Sequence, residues 1–333
     1  MTSPSPSNPQ TTPTRREVVV NGRRVKVVDI HAHCTVPEAN ALMGIRGQGG
    51  FPALVLENYQ LRLNDMGAQG IDVEALSINP FWYKADPDVA REVCRIQNER
   101  LAEFCASQPD RFVGLASVAL QHPDLAAEQL ETGMKRQDLR GALIGGSVEG
   151  EELADPRFHP FWAKAEELGA VVFIHPQGTA ELESRLRGNG MLGNVIGNPL
   201  ETTIALSHLI FEGTLDRFPN LKIVGAHGGG YLPSYAARSD AGGTTFPSQT
   251  TPVGKKPTEY LKQLYFDSLV FTPEALRHLV AETGVSQIVL GTDYPFPWTA
   301  TAVDHILATP DLTDDERIAI LGGTAAKLLR LDA

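Results

Sequence analysis

The chain has 333 residues, 42% of them hydrophobic, and a formal net charge of −11 at pH 7. This length and composition indicate a folded globular protein with one large barrel-type core or two ordinary domains. The acidic charge argues against a nucleic acid or an anionic membrane surface as partner. No apolar run approaches the roughly 20 residues of a membrane-spanning helix, so no membrane partner is expected either.

The start of the chain differs in composition from the rest. Residues 1–16, MTSPSPSNPQTTPTRR, are rich in Ser, Pro and Thr and lack the apolar run of a signal peptide. We predict a disordered tail there, followed by a single domain over residues 17–333. The cysteines Cys34, Cys94 and Cys105 show no zinc-ribbon spacing, and their low, odd number favours a reducing compartment. A cytoplasmic protein is therefore expected.

Beyond the tail, short β-branched runs alternate with longer helical patterns, which is typical of a parallel sheet with helices outside it. A hairpin on Asn21–Gly22 comes first. Eight strands are then predicted, at 25–30, 73–78, 112–119, 141–144, 170–175, 221–226, 264–268 and 287–291. Helices are predicted at 56–70, 87–107, 125–134, 161–168, 200–211, 232–238 and 273–283, with two short helices within 303–321.

Eight strand and helix pairs in one chain predict an α/β fold, a (β/α)8 TIM barrel with a short N-terminal β-hairpin extension. The Gly-, Thr- and Pro-rich stretch 241–257 is predicted to be a surface loop between two units, and no other composition shift divides the chain. An open doubly wound sheet is the alternative fold. Against it, no GxGxxG motif follows the first strand.

Histidine and aspartate residues stand at the ends of four predicted strands, where the active sites of barrel enzymes form. The first strand leads into His31 and His33, the fifth ends in His175, the sixth leads into His227, and Asp293 follows the eighth. Two histidines two residues apart in a strand point to one side and can bind one ion. Imidazoles with one carboxylate and an open position are typical of a catalytic metal site.

Each of these residues also has a plain structural interpretation. The pair His31 and His33 could be hydrogen bonded in a polar loop, and His175 could be a satisfied core histidine. The glycines after His227 alone indicate only a tight turn, and Asp293 could cap the next segment. Because all five residues fall at one end of one predicted barrel, a metal site is favoured.

The division of roles follows from the residue types. With three imidazoles and Asp293 binding the ion, His227 is the candidate for proton transfer because imidazole titrates near neutral pH. A second ion would need a bridging group, typically a modified lysine after the fourth strand, and the segment 141–150, GALIGGSVEG, contains no lysine. One divalent ion is therefore expected. Nitrogen and carboxylate ligands suit Zn²⁺, with Mn²⁺ or Fe²⁺ as alternatives.

The HxH pair, the lone histidine after the fifth strand, HGGG at 227–230 and GTDYPFP at 291–297 together resemble the amidohydrolase superfamily. Within it, the chain is similar to the metal-dependent decarboxylases typified by aminocarboxymuconate semialdehyde decarboxylase, with the γ-resorcylate and 5-carboxyvanillate decarboxylases as relatives. The similarity runs from about Val27 to the end and includes RLNDMGAQGIDVEALS at 62–77.

The resemblance implies His31, His33, His175 and Asp293 as metal ligands and His227 as the acid–base residue. In the mechanism that we predict, His227 and Asp293 handle protons as carbon dioxide leaves. It also implies that an arginine on the helix after the sixth strand reaches a neighbouring subunit's site, where its guanidinium forks onto a substrate carboxylate. That arginine is Arg238, and a homodimer or larger homo-oligomer follows. A surface ion pair is an equally open interpretation of Arg238.

The loops that shape the pocket depart from the family. The loop between His33 and the first helix is shorter than the corresponding loop of the aminocarboxymuconate enzyme, and it lacks that loop's lysine and arginine segment. Arg46 is a candidate substitute for that segment. The region after the fifth strand lacks that enzyme's tryptophans, so a different substrate is expected. Phe81 and Trp82 form a wall beside a flat ring or, equally, pack under a loop. Phe296 is a further candidate for substrate contact.

The sequence thus predicts non-oxidative decarboxylation of a small aromatic or enol-type carboxylic acid held on a metal ion. Hydrolysis of an amide, a lactone or a carbon–carbon bond by the same ion and base is the alternative. A non-catalytic, metal-binding barrel is a third hypothesis, and the intact set of ligands and the proton-transfer histidine argue against it. Cys34 has no part as a ligand and is predicted to pack beside the site.

Overall fold

The structure, a computed structural model, describes residues 15–46, 50–248 and 253–331. Its strands are β1 (Val19–Val20), β2 (Arg23–Arg24), β3 (Val28–His33), β4 (Val73–Ser77), β5 (Phe112–Gly114), β6 (Ala116–Ser117), β7 (Gly141–Ile144), β8 (Ser147–Val148), β9 (Glu151–Glu152), β10 (Val171–Ile174), β11 (Lys222–Gly225), β12 (Leu264–Asp267) and β13 (Ile288–Val289).

The helices alternate with these strands along the chain. They are α1 (Pro37–Leu42), α2 (Tyr59–Gln69), α3 (Pro87–Ser107), α4 (Pro123–Arg136), α5 (His159–Leu168), α6 (Asn198–Phe211), α7 (Thr214–Arg217), α8 (Leu232–Thr245), α9 (Pro257–Tyr260), α10 (Pro273–Thr283), α11 (Ala302–Ala308), α12 (Asp314–Ile318) and α13 (Thr324–Leu329). Across the described segments, no helix combines the length and the apolar character needed to cross a membrane.

The parallel strands close into a barrel of eight staves. The order is β3–β4–β5, continued by β6–β7–β10–β11–β12–β13, and every neighbouring pair is parallel. β5 and β6 form one stave interrupted at Leu115, whose N–H bonds to the Leu76 carbonyl at 2.8 Å. The seam between the last and first staves is closed by a bond from the Ile30 N–H to the Leu290 carbonyl and by the parallel bridge of Ala32 with Tyr294. The predicted TIM barrel is confirmed.

The first barrel strand lies three residues further along the chain than predicted. All six residues of β3 are buried, including Asp29, His31 and His33. Apolar periodicity misses this strand end because buried polar side chains with hydrogen-bond partners occupy alternate positions. The histidines therefore belong to the strand itself and share its rigidity.

Two helical segments near the C-terminal half differ from the prediction. α8 continues to Thr245, so residues 241–245 of the predicted surface loop are helical, and residues 249–252 of that loop lie outside the described residues. The extension is stabilised by Asp240, whose carboxylate accepts from the N–H and the hydroxyl of Thr258 at 3.0 and 2.7 Å. Residues 324–329 form a further helix, α13, which the two short helices predicted within 303–321 do not include.

The N-terminal hairpin predicted on Asn21–Gly22 is present as β1 and β2. The predicted tail falls mostly on residues 1–14, outside the described residues. Arg15 and Arg16, which the sequence placed in that tail, are instead anchored: Arg15 pairs with Asp72, and Arg16 Nη2 lies 2.5 Å from Asp304 Oδ1.

The barrel interior is filled by apolar side chains that point inward from alternate positions of the strands. This cluster includes Val28, Val73, Leu143, Val171 and Val224, and α13 covers it through Ala325, Leu328 and Leu329. Its upper limit is Phe173, whose ring centroid lies 4.9 Å from that of His31. The top of the apolar core is therefore the floor of the site.

Candidate active site

Four imidazoles and one carboxylate meet above this floor, at the carboxyl ends of the barrel strands. The Nε2 atoms of His31 and His33 lie 3.1 Å apart, and they lie 3.1 and 2.9 Å from Asp293 Oδ1. His175 Nε2 is 3.8 Å from the same oxygen. His227 faces the other carboxylate oxygen, with its Nε2 3.6 Å from Oδ2. The structure thus brings together all five residues that the sequence singled out.

The distances suit a single metal ion. Ligand atoms bonded to one ion at about 2.1 Å lie roughly 3.0–3.4 Å apart when the bond angles are about 90–109°. The candidate ligand atoms of His31, His175, His227 and Asp293 all lie within 4.8 Å of one another. His33 Nε2 lies 3.1 Å from His31 Nε2 and 2.9 Å from Asp293 Oδ1, so a second set of four ligands, with His33 in place of His227, is also geometrically open. Asp293 Oδ1 faces His31, His33 and His175, which favours the set that leaves His227 free.

Several polar atoms at this point lack a hydrogen-bond partner. Among the described residues, no donor is aligned to hydrogen bond with Asp293 Oδ1, although the Nε2 atoms of His31 and His33 lie near it, and neither ring nitrogen of His175 has a partner. All three atoms are buried. Buried polar groups are rarely left unpaired, because each costs about 1–3 kcal/mol of stability. A cation between these atoms would satisfy the carboxylate oxygen and one imidazole nitrogen together, so the residues fit a metal ion.

Asp267, at the end of β12, is a site residue that the sequence did not single out. Its Oδ2 lies 2.7 Å from His31 Nδ1, and both side chains are fully buried. The same carboxylate accepts from the N–H groups of His227 and Gly228, each at 2.9 Å, and of Leu269 at 3.1 Å. It therefore fixes the ring of one candidate ligand and the backbone of the HGGG turn. Its place at the end of the seventh predicted strand was the signal that could have found it.

Asp29 supports the same strand end from the other side. Its Oδ1 accepts from the His31 N–H at 3.0 Å, and its Oδ2 accepts from the Thr292 hydroxyl at 2.5 Å. Thr292 directly precedes Asp293, so one carboxylate joins the two segments that carry candidate ligands. Burial raises the pKa of Asp29 to about 7, and the neighbouring Glu74 contributes to that rise.

The ionisation of the imidazoles differs from ring to ring. Burial tends to lower the pKa of His31, but the carboxylates of Asp293 and Asp267 outweigh it and the pKa rises to about 10. Burial lowers the pKa of His33, and it lowers the pKa of His175 well below the ordinary value. Although burial opposes it, the imidazole of His31 holds the pKa of Asp293 well below its usual range. His33 and His175 are thus held neutral, and a neutral imidazole is the form that binds metal.

A cavity of about 490 Å³ opens over His227 and Asp293. Its walls are mostly apolar, and among the described residues no lysine or arginine lines it. The apolar walls are formed by Val195, Pro199, Tyr231, Pro233, Leu269, Val270, Phe271, Ala275, Leu279 and Trp298, and the polar ones by Asn194, Asn198, Ser234 and His278.

The two aromatic candidates for substrate contact, Trp82 and Phe296, differ in their burial and surroundings. Trp82 is fully buried in the core, and its Nε1 donates to the Val118 carbonyl at 2.9 Å. Trp82 therefore packs under a loop and does not form a wall of the pocket. Phe296 is half-buried, with its ring centroid 5.6 Å from that of His33 and 5.3 Å from that of Phe51. It lies beside the metal-site histidines.

The two arginine candidates are both exposed. Arg46 directly precedes residues 47–49, which lie outside the described residues. Arg238 lies on α8, one turn beyond Ser234 at the cavity wall, and it forms no ion pair with a described carboxylate. Neither guanidinium lines the cavity described above. Cys34 is buried beside the site, as expected, and burial raises the pKa of its thiol to about 12, which disfavours the metal-binding thiolate.

The amidohydrolase family model matches residues 28–331. The chain belongs to the amidohydrolase family. This match confirms the resemblance inferred from the HxH, HGGG and GTDYPFP motifs. It spans the whole barrel, from the first residue of β3 to the end of the described residues.

Three relatives of this amidohydrolase are all named as decarboxylases. The 2-amino-3-carboxymuconate-6-semialdehyde decarboxylase of Dictyostelium discoideum is 34% identical over 277 residues, which cover 82% of this chain and 76% of the relative. The 5-carboxyvanillate decarboxylase of Sphingomonas paucimobilis superposes with a TM-score of 0.82 at 27% identity, over 92% of this chain and all of the other. A dihydroxybenzoic acid decarboxylase of Polaromonas, solved with manganese and the inhibitor 2-nitroresorcinol, gives 0.80 at 27% identity, over 93% and 98%.

Proposed function

We propose that this amidohydrolase is a metal-dependent decarboxylase of small aromatic or enol-type carboxylic acids. The observation that carries the proposal is the cluster of His31, His175, His227 and Asp293, joined by His33, at the mouth of an apolar cavity. The three relatives described above are all named as decarboxylases, and their named substrates are small carboxylic acids.

We propose that His31, His33, His175 and Asp293 hold the ion. The Nε2 atoms of the three histidines face Asp293 Oδ1, at 3.1, 2.9 and 3.8 Å. One divalent ion is indicated by this cluster and by the manganese in the Polaromonas neighbour. We propose Zn²⁺ as the ion, with Mn²⁺ or Fe²⁺ as alternatives, because imidazole and carboxylate ligands suit all three. When bound, such an ion polarises a substrate oxygen and binds its negative charge.

His227 is proposed to move the proton. Its side chain is 16% exposed, more than those of His31, His33 and His175, and it lines the cavity. In decarboxylation, the bond between the ring carbon and the carboxylate breaks, carbon dioxide leaves, and the electron pair stays on the carbon, which takes up a proton. His227 Nε2 borders the cavity and lies 3.6 Å from Asp293 Oδ2, so it is placed to deliver that proton to a bound substrate.

The cavity supports a substrate with an apolar body. Its apolar walls exclude water, and Phe271 and Trp298, with ring centroids 6.3 Å apart, offer flat faces beside a ring. With no arginine or lysine in the walls that the structure describes, one subunit alone offers a second carboxylate no cationic partner. We therefore propose that any second carboxylate of the substrate is bound by an arginine of a neighbouring subunit, with Phe296 as a further contact.

Arg46 and Arg238 are proposed to act from outside the cavity of their own subunit. Arg238 lies one turn from the cavity wall on α8, so a second copy of the chain could present it to a neighbouring cavity. This placement supports the expected homodimer or larger homo-oligomer. A guanidinium contributed in this way would hold a substrate carboxylate by two parallel hydrogen bonds.

The test is carbon dioxide release by the purified, metal-loaded protein from a panel of hydroxybenzoates, with solvent deuterium appearing at the vacated carbon. Addition of a chelator is expected to abolish turnover, and metal analysis identifies the ion. His227→Gln is expected to retain the metal and to lose about 10²–10⁴-fold in kcat, the usual contribution of a general acid or base. Hydrolysis of amides or lactones without carbon dioxide release would contradict the proposal and favour the hydrolase alternative.

A further inference from the structure

The segment 62–77 carries charged residues that the site does not use. Arg62 lies over the ring of Tyr294, the neighbour of Asp293, and pairs with Glu74, while Asp65 bonds to the Tyr294 hydroxyl. We propose that these four residues, here named the clamp, position the metal-binding segments and thereby set the metal affinity. Arg62 is the central positioning residue.

Arg62 connects the clamp to the first barrel strand. Its side chain is 2% exposed, and its Nη1 donates to Glu74 Oε2 at 2.7 Å. Its Nη2 donates to the His33 carbonyl at 2.5 Å and to the Ala53 carbonyl at 2.9 Å. The planar guanidinium therefore fixes the backbone of a candidate ligand against β4 and against the loop that precedes α2. Three acceptors in this arrangement need the fork of an arginine, which a single ammonium cannot reproduce.

One face of the Arg62 guanidinium packs against the loop after the last strand. Its carbon lies 4.7 Å from the centroid of the Tyr294 ring, a cation–π contact. The Tyr294 hydroxyl donates to Asp65 Oδ2 at 2.6 Å. The Tyr294 carbonyl in turn accepts from the His33 N–H at 2.7 Å. The two segments that carry His33 and Asp293 thus lie against one buried cation.

Stability alone explains this arrangement poorly. Burying an ion pair costs desolvation free energy that the attraction of its partners often only offsets, so apolar side chains of similar volume would serve packing as well. A second arginine illustrates the difference. Arg111 donates to the carbonyls of Asp72 at 2.8 Å and Ile71 at 3.2 Å, before the start of β4 and at the opposite end of the barrel. It supports the fold without a contact to the metal centre.

The experiment compares Arg62→Lys with the matched control Arg111→Lys. Zn²⁺ and Mn²⁺ affinities are measured by chelator competition on metal-stripped protein without substrate, and the melting temperature of the metal-free protein is recorded in parallel. Loss of groups that orient metal ligands typically weakens metal binding 10–100-fold. We expect that rise in Kd for Arg62→Lys and a change within twofold for Arg111→Lys. An unchanged Kd in folded Arg62→Lys overturns the proposal.

Tyr294→Phe serves where Arg62→Lys does not fold. It keeps the ring over the guanidinium and removes only the bond to Asp65, at a half-buried position. A rise in Kd beyond that of Arg111→Lys supports the clamp, and an unchanged Kd overturns it. The proposal rests on the metal site of the proposed function and not on its reaction, so a protein that binds metal but releases no carbon dioxide leaves it standing. A wild-type protein without metal affinity would overturn it together with that site.

Discussion

At the scale of single residues, the supporting carboxylates matter as much as the candidate ligands. Asp267 holds the ring of His31 through Oδ2 and the backbone of His227 and Gly228 through both oxygens. A metal-bound imidazole usually has its other nitrogen bonded to such a group, which fixes the ring and its tautomer. One side chain therefore orients the first candidate ligand and the backbone of His227, the proposed proton-transfer residue.

Asp267→Asn is predicted to weaken metal binding about 10–100-fold. In this variant an amide nitrogen replaces one of the two carboxylate oxygens of Asp267. It would face either the N–H groups of Gly228 and Leu269 or the His31 ring, so neither orientation keeps all four hydrogen bonds of the carboxylate. The measurement is chelator competition with the metal-free variant. Asp72→Asn is the control, because this buried carboxylate bonds to Arg24 and the Val27 N–H and touches no site residue. Equal affinities in the two variants would refute the role of Asp267.

Glu201 gives a pH dependence of stability. Its Oε2 accepts from the N–H groups of Gln177 and Gly178 at 2.6 and 2.5 Å, just after His175, and burial raises its pKa to about 7. A carboxyl group whose pKa is raised in the folded state favours folding when protonated. Stability from this group is therefore present below about pH 4.5 and is lost as the pH rises to about 7, by roughly 3 kcal/mol at most.

Glu201→Gln should remove that loss, because an amide oxygen can accept both N–H bonds and does not titrate. Urea unfolding at pH 5 and pH 8 measures the effect. The wild type is expected to lose more free energy of unfolding than the variant over this interval. Glu181→Gln, at an exposed neighbouring position, should show the same pH dependence of stability as the wild type. A variant that retains the full pH dependence would speak against Glu201.

At the scale of elements, the turn after β11 requires glycine. Gly230 has φ +64° and ψ −127°, a conformation that side chains disfavour, and a Cβ there would lie 2.0 Å from the Pro199 carbonyl oxygen of α6. The turn therefore brings the backbone against α6 while it presents His227 to the cavity. HGGG is a packing requirement as well as a sequence motif.

Gly230→Ala is predicted to cost about 2–5 kcal/mol of folding free energy, the sum of the backbone strain and the steric overlap. Gly213→Ala is the matched control, because Gly213 has φ +78° and a Cβ added there would meet no described atom within 4 Å. It should cost only about 1–2 kcal/mol, the strain alone. Chemical denaturation of both variants provides the comparison. Equal losses would show that the contact with Pro199 is not restrictive.

The sequence predicted elements and site where local pattern decides them. α3, β7 and α10 have the bounds that their apolar periodicity and starting prolines predicted, and His31, His175 and Asp293 stood out because a polar residue interrupts or follows an apolar strand. Partners from distant segments leave no such pattern. Asp267 and Asp29 resemble ordinary acidic residues until the barrel closes. Trp82 was ambiguous because its burial depends on Val118, 36 residues away.

At the scale of the whole molecule, the barrel brings together candidate metal ligands from three separate parts of the chain. Because an ion held by such residues binds only the folded state, it stabilises the fold by an amount that grows with its concentration. The centre is therefore expected to respond to metal as a stability switch for the entire domain.

Metal at 100 times its Kd is predicted to add about 2.7 kcal/mol to the free energy of unfolding. For a chain of this length that corresponds to a rise in melting temperature of roughly 4 °C, using an unfolding entropy of about 2.1 cal/mol/K per residue. Calorimetry with and without a chelator measures the shift. His175→Ala should abolish it, since this variant lacks one candidate ligand. A wild-type melting temperature that is indifferent to metal would contradict the metal site.

The seam of the barrel has a consequence for biosynthesis. The stave that carries His31 and His33 is the first to leave the ribosome, whereas Asp293 follows His31 by 262 residues and lies beside the last stave. A nascent or truncated chain that ends before 291–297 holds every candidate histidine but lacks Asp293, the carboxylate whose oxygens face all four of them. The proposed set of four metal ligands is therefore complete only in a chain that has been translated through Asp293.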